Sequence, residues 1–335
     1  MKDIDVVIPL FNCTKFIEDA IRSAQNQIWA VNKIIVVNDG STDDGPSKVA
    51  RMSESDDRIV LLSGPNQGLS AARNKGIRAS TAEFVAFLDA DDLWEPDKIK
   101  KQLDCLLCSS FSFVHTQAAA VDLQGHPIEA TLYKNNAQIE PSFENIRLGT
   151  YSVIGSASSV LTRRRLLLDA GLFNENMHFG GEDWDMWARL AKYGHAHLID
   201  EPLTKIRLVP CSLQRSMSSK TRALSRLHSR IAVAARWQDD LLFLREHRVE
   251  GRKDAWAVAR LLIFSPLQLS QFYMCLQRHE QAVGREIIHG PADFACLLFE
   301  GVWRTILGFA CSSEERKRLF LKLRNLISLK SKYAL

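Results

Sequence analysis

Several large protein classes are excluded by what this chain lacks. No run of about 20 residues is free of charge, so no transmembrane helix is expected. The opening MKDIDVVIPLF carries no apolar core of signal-peptide length, and no leader is expected there. Cysteines number 7, odd and scattered, which argues against the disulfide framework of a secreted domain and for a reducing cytoplasm. The single C-x-x-C, Cys105 with Cys108, falls in the helical stretch KIKKQLDCLLC. No second pair completes a zinc site, so plain helix packing is expected. A net charge of +4 is too mild to predict nucleic-acid binding. Glycine is missing where a phosphate-cradling loop would need it. PLFNCT follows the first apolar run without G-x-G-x-x-G, and GSTDDGPSK has no Gly directly before its Lys.

What is present is ordinary globular material: 46% hydrophobic and 24% charged over 335 residues, enough for one large α/β domain with an appendage, or two domains. The first 110 residues alternate in a regular way. Val6-Val7-Ile8 predicts a strand ended by Pro9. Thr14 is expected to cap a helix with Phe16, Ile17, Ala20, Ile21, Ala24 and Ile28 on one face. KIIVV predicts a second strand, closed by the turn-rich NDGSTDDG, and Arg58 to Leu62 a third, followed by PNQG and the small-residue helix LSAARNKGI. Phe84 to Leu88 is the fourth, before a helix that starts near Pro96. Strands alternating with helices through short links imply a parallel sheet with helices on both faces, which binds ligands at the strands' carboxyl ends. From there to about residue 210 the pattern is mixed. FSFVHTQAAAVDLQGHPI predicts a strand, a second strand and a Gly turn, SASSVLTRRRLLLDAG a strand and a helix, and GGEDWDMWARLAKYG a helix opened by acids.

Chemistry concentrates at those carboxyl ends. FLDADDLW puts three carboxylates in four positions after a buried strand, a costly cluster unless a positive group sits among them. Helix capping and solvated loop acids are the bland explanation. Hard carboxylate oxygens at a strand end also suit Mg²⁺ or Mn²⁺, which keep coordination sites open for a diphosphate. VVIPLFN, VVNDGSTDDG, NQGLSAARNKGI, FLDADDLW and GGEDWDMWARL, in this order and spacing, resemble the family 2 inverting glycosyltransferases across about residues 3 to 210.

That resemblance implies the α/β fold called GT-A, a nucleotide-sugar-binding sheet with flanking helices. It implies that Pro9 and Phe11 line a nucleobase pocket and that Asp39 accepts a hydrogen bond from the base, for uracil its N3–H. Asn66 and Arg73 would reach the nucleotide or donor sugar. Asp89 would address the ribose or sugar and share a Mn²⁺ or Mg²⁺ ion with Asp91, the cation being the expected counter-charge of the cluster. Asp183 is implied as the base that deprotonates the acceptor hydroxyl, with Glu182 in support. Trp184 and Trp187 could offer a stacking surface, although helical spacing makes at least one of them core. Arg207 would close over the diphosphate, and Val209 stands where many relatives have His. The donor implied is a UDP-sugar, and the acceptor a glycan or lipid-linked hydroxyl.

The expected organisation is a catalytic domain over 1–215, with a nucleotide half at 1–110 and an acceptor half at 111–215, and a helical region over 216–335. Residues 316–335 hold seven Lys or Arg and no acid, a basic helix suited either to solvent or to peripheral contact with an anionic inner membrane face. The competing readings are a sugar nucleotidyltransferase, which would want a basic Gly-rich loop after the first strand, and a non-catalytic nucleotide-sugar-binding protein of the same fold.

Overall fold

The computed structural model describes residues 2–129, 139–153, 156–177 and 180–209, together with Ser229 and Val233. The chain divides into two compact units, Met1–Arg215 and Ser216–Leu335. Apart from Ser229 and Val233, the predicted helical region, with its basic segment at 316–335, lies outside the described residues. Among the described residues, no helix is long and apolar enough to cross a membrane.

In the first unit, β1 (Ile4–Leu10), β2 (Lys33–Asp39), β3 (Ile59–Gly64) and β4 (Phe84–Phe87) run parallel in the order β3-β2-β1-β4. The inner strands are covered on both faces, which is why they read as unbroken apolar runs. Alternation along β1 sends Val6, Ile8 and Leu10 toward α1 (Ile17–Gln25), while Val7 packs with Ile77 of α3 (Leu69–Ala79) on the other face. With α2 (Gly45–Ser53), these helices complete the crossovers. The chain moves outward from β1 through β2 to β3, then returns to β1's other side at β4. The order therefore reverses between β1 and β4, the place where such sheets bind ligands.

The second half extends the sheet with mixed direction. It contributes β5 (Leu93–Trp94), α4 (Lys98–Leu107), β6 (Phe113–Val121), α5 (Phe143–Leu148), β7 (Leu161–Arg163), α6 (Arg164–Asp169), α7 (Glu182–Leu190) and β8 (Ala196–Arg207). The full order is β3-β2-β1-β4-β7-β6-β8-β5, with β7 antiparallel to β4 and β6, β8 parallel to β6, and β5 antiparallel to β8.

Three local expectations are corrected. Ahead of the Gly turn, Phe113–Val121 form one continuous strand where two were expected across FSFVHTQAAAVDLQGHPI; its register against β8 shifts between Thr116 and Ala118. Pro9 lies inside β1, paired with Val37, rather than ending it. Thr14 does not cap α1, which begins at Ile17 behind Phe16 with no side-chain cap; the Thr14 N–H instead donates to Asp43 Oδ2 at 2.8 Å, tying the loop after β1 to the loop after β2. The C-x-x-C does sit at the end of α4, with Cys105 packed against the core and Cys108 exposed.

Candidate active site

The loops at the carboxyl ends of β2 and β3 are in direct contact. Gly40 has φ +75°, and a Cβ there would stand 2.7 Å from the backbone nitrogen of Asn66. Only glycine supplies both the left-handed backbone and the close approach. Asp39, buried at the end of β2, fixes the same contact: its carboxylate accepts the N–H groups of Gln67 at 2.7 Å and Gly68 at 2.9 Å. Two of its roughly four lone-pair sites are thereby used. Asn66 is exposed at the rim. Pro9 is buried, whereas Phe11, directly after β1, is 51% exposed, so its ring is not core.

The acidic turn after β4 is held by protein groups of both kinds. Asp92 is buried; one carboxylate oxygen accepts the Ser158 hydroxyl at 2.6 Å and the other the Arg207 N–H at 3.2 Å. Ser158 Oγ also accepts the Asp89 N–H at 3.0 Å, and its carbonyl accepts the Trp94 indole N–H at 2.7 Å. Arg207, expected over the donor diphosphate, is instead buried: its Nε donates to the Asp91 carbonyl at 3.0 Å, its Nη2 to Asp19 at 3.3 Å, and its guanidinium lies 4.6 Å from the Phe16 ring centre. Arg73, expected to reach the nucleotide or sugar, is also fully buried. It donates to Asp89 at 2.9 Å and to Glu182 at 2.8 Å. Two arginines thus supply positive charge that sequence reasoning assigned to a cation alone.

Negative charge is still in surplus there. Burial, then Asp91 and Asp89, push the Asp92 carboxyl well above its ordinary range. Among the described residues no group of three or more His, Cys, Asp or Glu forms a ready metal cage. A Mg²⁺ or Mn²⁺ ion here would have to be held by one or two carboxylates and completed by substrate phosphates, the usual manner of Mg²⁺. Asp91 and Asp89, the carboxylates expected to share the ion, are both partly exposed, and Asp89 is already paired with Arg73.

Opposite stands the first turn of α7. Gly181, at φ +84°, precedes it and lets the chain turn sharply into the helix. Three acids occupy that turn, favourably placed at the helix's positive end. Glu182 is held by Arg73. Asp185 is held by Arg189 at 2.6 Å on the helix's buried side. Asp183 forms no ion pair among the described residues; its Oδ1 accepts the Trp184 N–H at 2.7 Å, and the side chain is partly exposed. Burial raises its pKa above the ordinary Asp value, reinforced by Asp89 and opposed by Arg73 and the Trp184 N–H. Glu182 is raised by burial and by Asp183, against Arg73. Trp187 is core, packed with Phe87, Phe113 and Phe173. Trp184 is half-buried, its indole N–H donating to the Ile146 carbonyl at 2.6 Å.

The five sequence segments singled out for chemistry lie in one unit, with Arg73 joining the fourth to the fifth. The family model described as Glycosyl transferase family 2 matches residues 5–154. An uncharacterized glycosyltransferase of Rickettsia conorii is 32% identical over 208 residues, 61% of this chain and 33% of that protein. TuaG of Bacillus subtilis, provisionally named a teichuronic acid biosynthesis glycosyltransferase, is 28% identical over 67% of this chain and 89% of its own. The chain spans about a third of the length of the Rickettsia relatives it matches. In fold it is similar to Staphylococcus aureus TarS solved with UDP, at a TM-score of 0.57 and 18% identity over 92% of this chain and 87% of that one. The TarS structure with UDP-GlcNAc gives 0.60 and 17% over the same shares. The GT-A architecture expected from the motifs is therefore the one observed.

Sequence reasoning missed Ser158 and the buried role of Asp92. Nothing in SASSV marks its second serine, Ser158, as the hub beneath the acidic turn. The run of three acids did carry a signal for Asp92, because a turn this crowded must bury one of them.

Proposed function

We propose that the first unit is an inverting glycosyltransferase that takes a sugar from a nucleoside diphosphate sugar, with UDP as the nucleotide, and passes it to a hydroxyl of a glycan or lipid-linked acceptor. The observation that carries the reading is the division of labour in the first turn of α7. Glu182 and Asp185 are held by arginines, which leaves Asp183 as the partly exposed carboxylate of that turn without an ion pair among the described residues. A raised pKa makes it a stronger base than an ordinary Asp, and one base on the acceptor side suffices for a direct displacement.

Phe11 and Asp39 would flank the base, with the remaining lone pairs of Asp39 available to uracil N3–H. Asp91 and Asp89 would hold a Mn²⁺ or Mg²⁺ ion, which when bound neutralises charge on the departing diphosphate. Asp183 holds the acceptor hydroxyl and takes its proton as the oxygen attacks the anomeric carbon. Trp184, half-buried beside it, would bear on the acceptor. That TarS was solved with UDP and with UDP-GlcNAc supports a uridine nucleotide donor.

The test is calorimetry with UDP, GDP and ADP in Mn²⁺, followed by turnover of a UDP-sugar panel and NMR of the product anomer. UDP should bind most tightly and the product should be inverted. A clear preference for GDP would reassign the donor, and retention would exclude the single displacement. Binding without turnover of any sugar would favour the non-catalytic reading.

A further inference from the structure

The fully buried Arg73 has a wider role than charge neutralisation. From the middle of α3, its two terminal nitrogens reach Asp89 at the end of β4 and Glu182 at the start of α7. The guanidinium carbon lies 5.4 Å from the Phe173 ring centre, and Nε has no hydrogen-bond partner. The next residue, Asn74, grips the same return segment. Its side-chain amide donates to the Phe173 carbonyl at 2.9 Å and to Glu175 at 2.8 Å, and its oxygen accepts the Phe173 N–H at 2.8 Å. Thus one helix turn of the nucleotide half holds both the acidic turn and the approach to α7. Burying a guanidinium with an orphaned Nε is costly, and a solvated lysine could neutralise a carboxylate without that cost. What a buried fork adds is fixed geometry between two carboxylates.

We propose that Arg73 is a positioning residue that sets the separation of the donor-side Asp89 from the base-bearing turn of α7, acting through Glu182. This rests on the reading of Asp183 as the base. By engaging Glu182, Arg73 leaves Asp183 to the acceptor and keeps that turn in register with the donor. The charged groups facing Asp183 are Glu182 on its own helix, Arg73 from α3 and Asp89 from the end of β4. Removing the guanidinium leaves two uncompensated acids beside Asp183.

The test uses the full chain and two variants for exchange, Arg73→Lys and Glu182→Gln, the second reading the same link from its other end should the first not fold, with Arg73→Met added for the pH profile. Hydrogen–deuterium exchange at residues 180–190 should quicken at least tenfold in each folded variant, with β1 to β3 unchanged. Exchange there equal to wild type overturns the proposal. With UDP-GlcNAc and Mn²⁺, Arg73→Lys should lose at least tenfold in kcat while the Kd for UDP stays within threefold. The acid limb of kcat against pH should move upward in Arg73→Met, because a cation that opposed protonation of Asp183 is gone. A kcat loss matched by an equal loss of UDP affinity, with the acid limb unmoved, would make Arg73 a donor contact and overturn the proposal. If wild type binds no UDP, the functional reading fails by itself, and exchange in the two variants still decides this one.

Discussion

At the scale of single residues, the three acids opening α7 have the same chemistry and different surroundings. Asp185 and Glu182 each sit against a buried arginine, so neutralising either breaks a buried ion pair, a change that typically costs up to about 3–5 kcal/mol and less for Glu182, whose Arg73 keeps Asp89. Asp183 sits where burial raises its pKa, so its base form is lost at a higher pH than an ordinary Asp, whose pKa is near 3.9. The sign follows directly: kcat falls as pH drops through the raised value, and the acid limb of a kcat profile should lie above about pH 4. A limb at or below the ordinary value would mean that some other group is the base. Asp92 carries structure in the same way. Asp92→Ala would orphan the Ser158 hydroxyl and the Arg207 N–H, each at about 1–3 kcal/mol. Urea unfolding should show the loss, and an unchanged midpoint would remove Asp92 from its place as the anchor of the turn.

At the scale of elements, glycines set how closely the layers meet. A Cβ on Gly76 of α3 would lie 2.4 Å from Val7 Cγ1 on β1. Gly76→Ala gains up to about 1 kcal/mol of helix propensity and loses about 1–3 kcal/mol to overpacking, so the net should be destabilising and should displace the helix that carries Arg73. A raised melting temperature would show that β1 yields easily. Gly40→Ala meets a backbone atom and a left-handed φ together, and should weaken UDP binding as well as stability. The parallel strands were legible in the sequence because burial on both faces writes itself as KIIVV and FVAF. So were the ligand-bearing loops, since turn residues mark the strand ends. Thr14 looked like a cap because Asp43, its real partner, lies 29 residues on. The Arg73–Glu182 pairing was not legible for the same reason: Glu182 is 109 residues away, and no local pattern records that pairing.

At the scale of the whole molecule, the described site lies within the Met1–Arg215 unit. A chain ended at Arg215 should therefore keep UDP binding within about threefold by calorimetry; loss of binding would mean that the second unit completes the site. The basic residues at 316–335, seven cations without an acid, give a separate expectation. Removing the chain after Ser313 should abolish sedimentation with anionic vesicles and leave UDP affinity unchanged. If the full chain ignores such vesicles, the segment is no membrane contact.

All the chemistry proposed converges on one carboxylate, and Asp183→Asn isolates it by keeping the shape of the side chain while removing the proton acceptor. The direct measurement is kcat of that variant with Mn²⁺ and the UDP-sugar that wild type turns over. Loss of a general base should cost about 10²- to 10⁴-fold, roughly 3–5 kcal/mol of barrier, with the Kd for UDP nearly unchanged. Turnover within about threefold of wild type would contradict the assignment of Asp183 as the base.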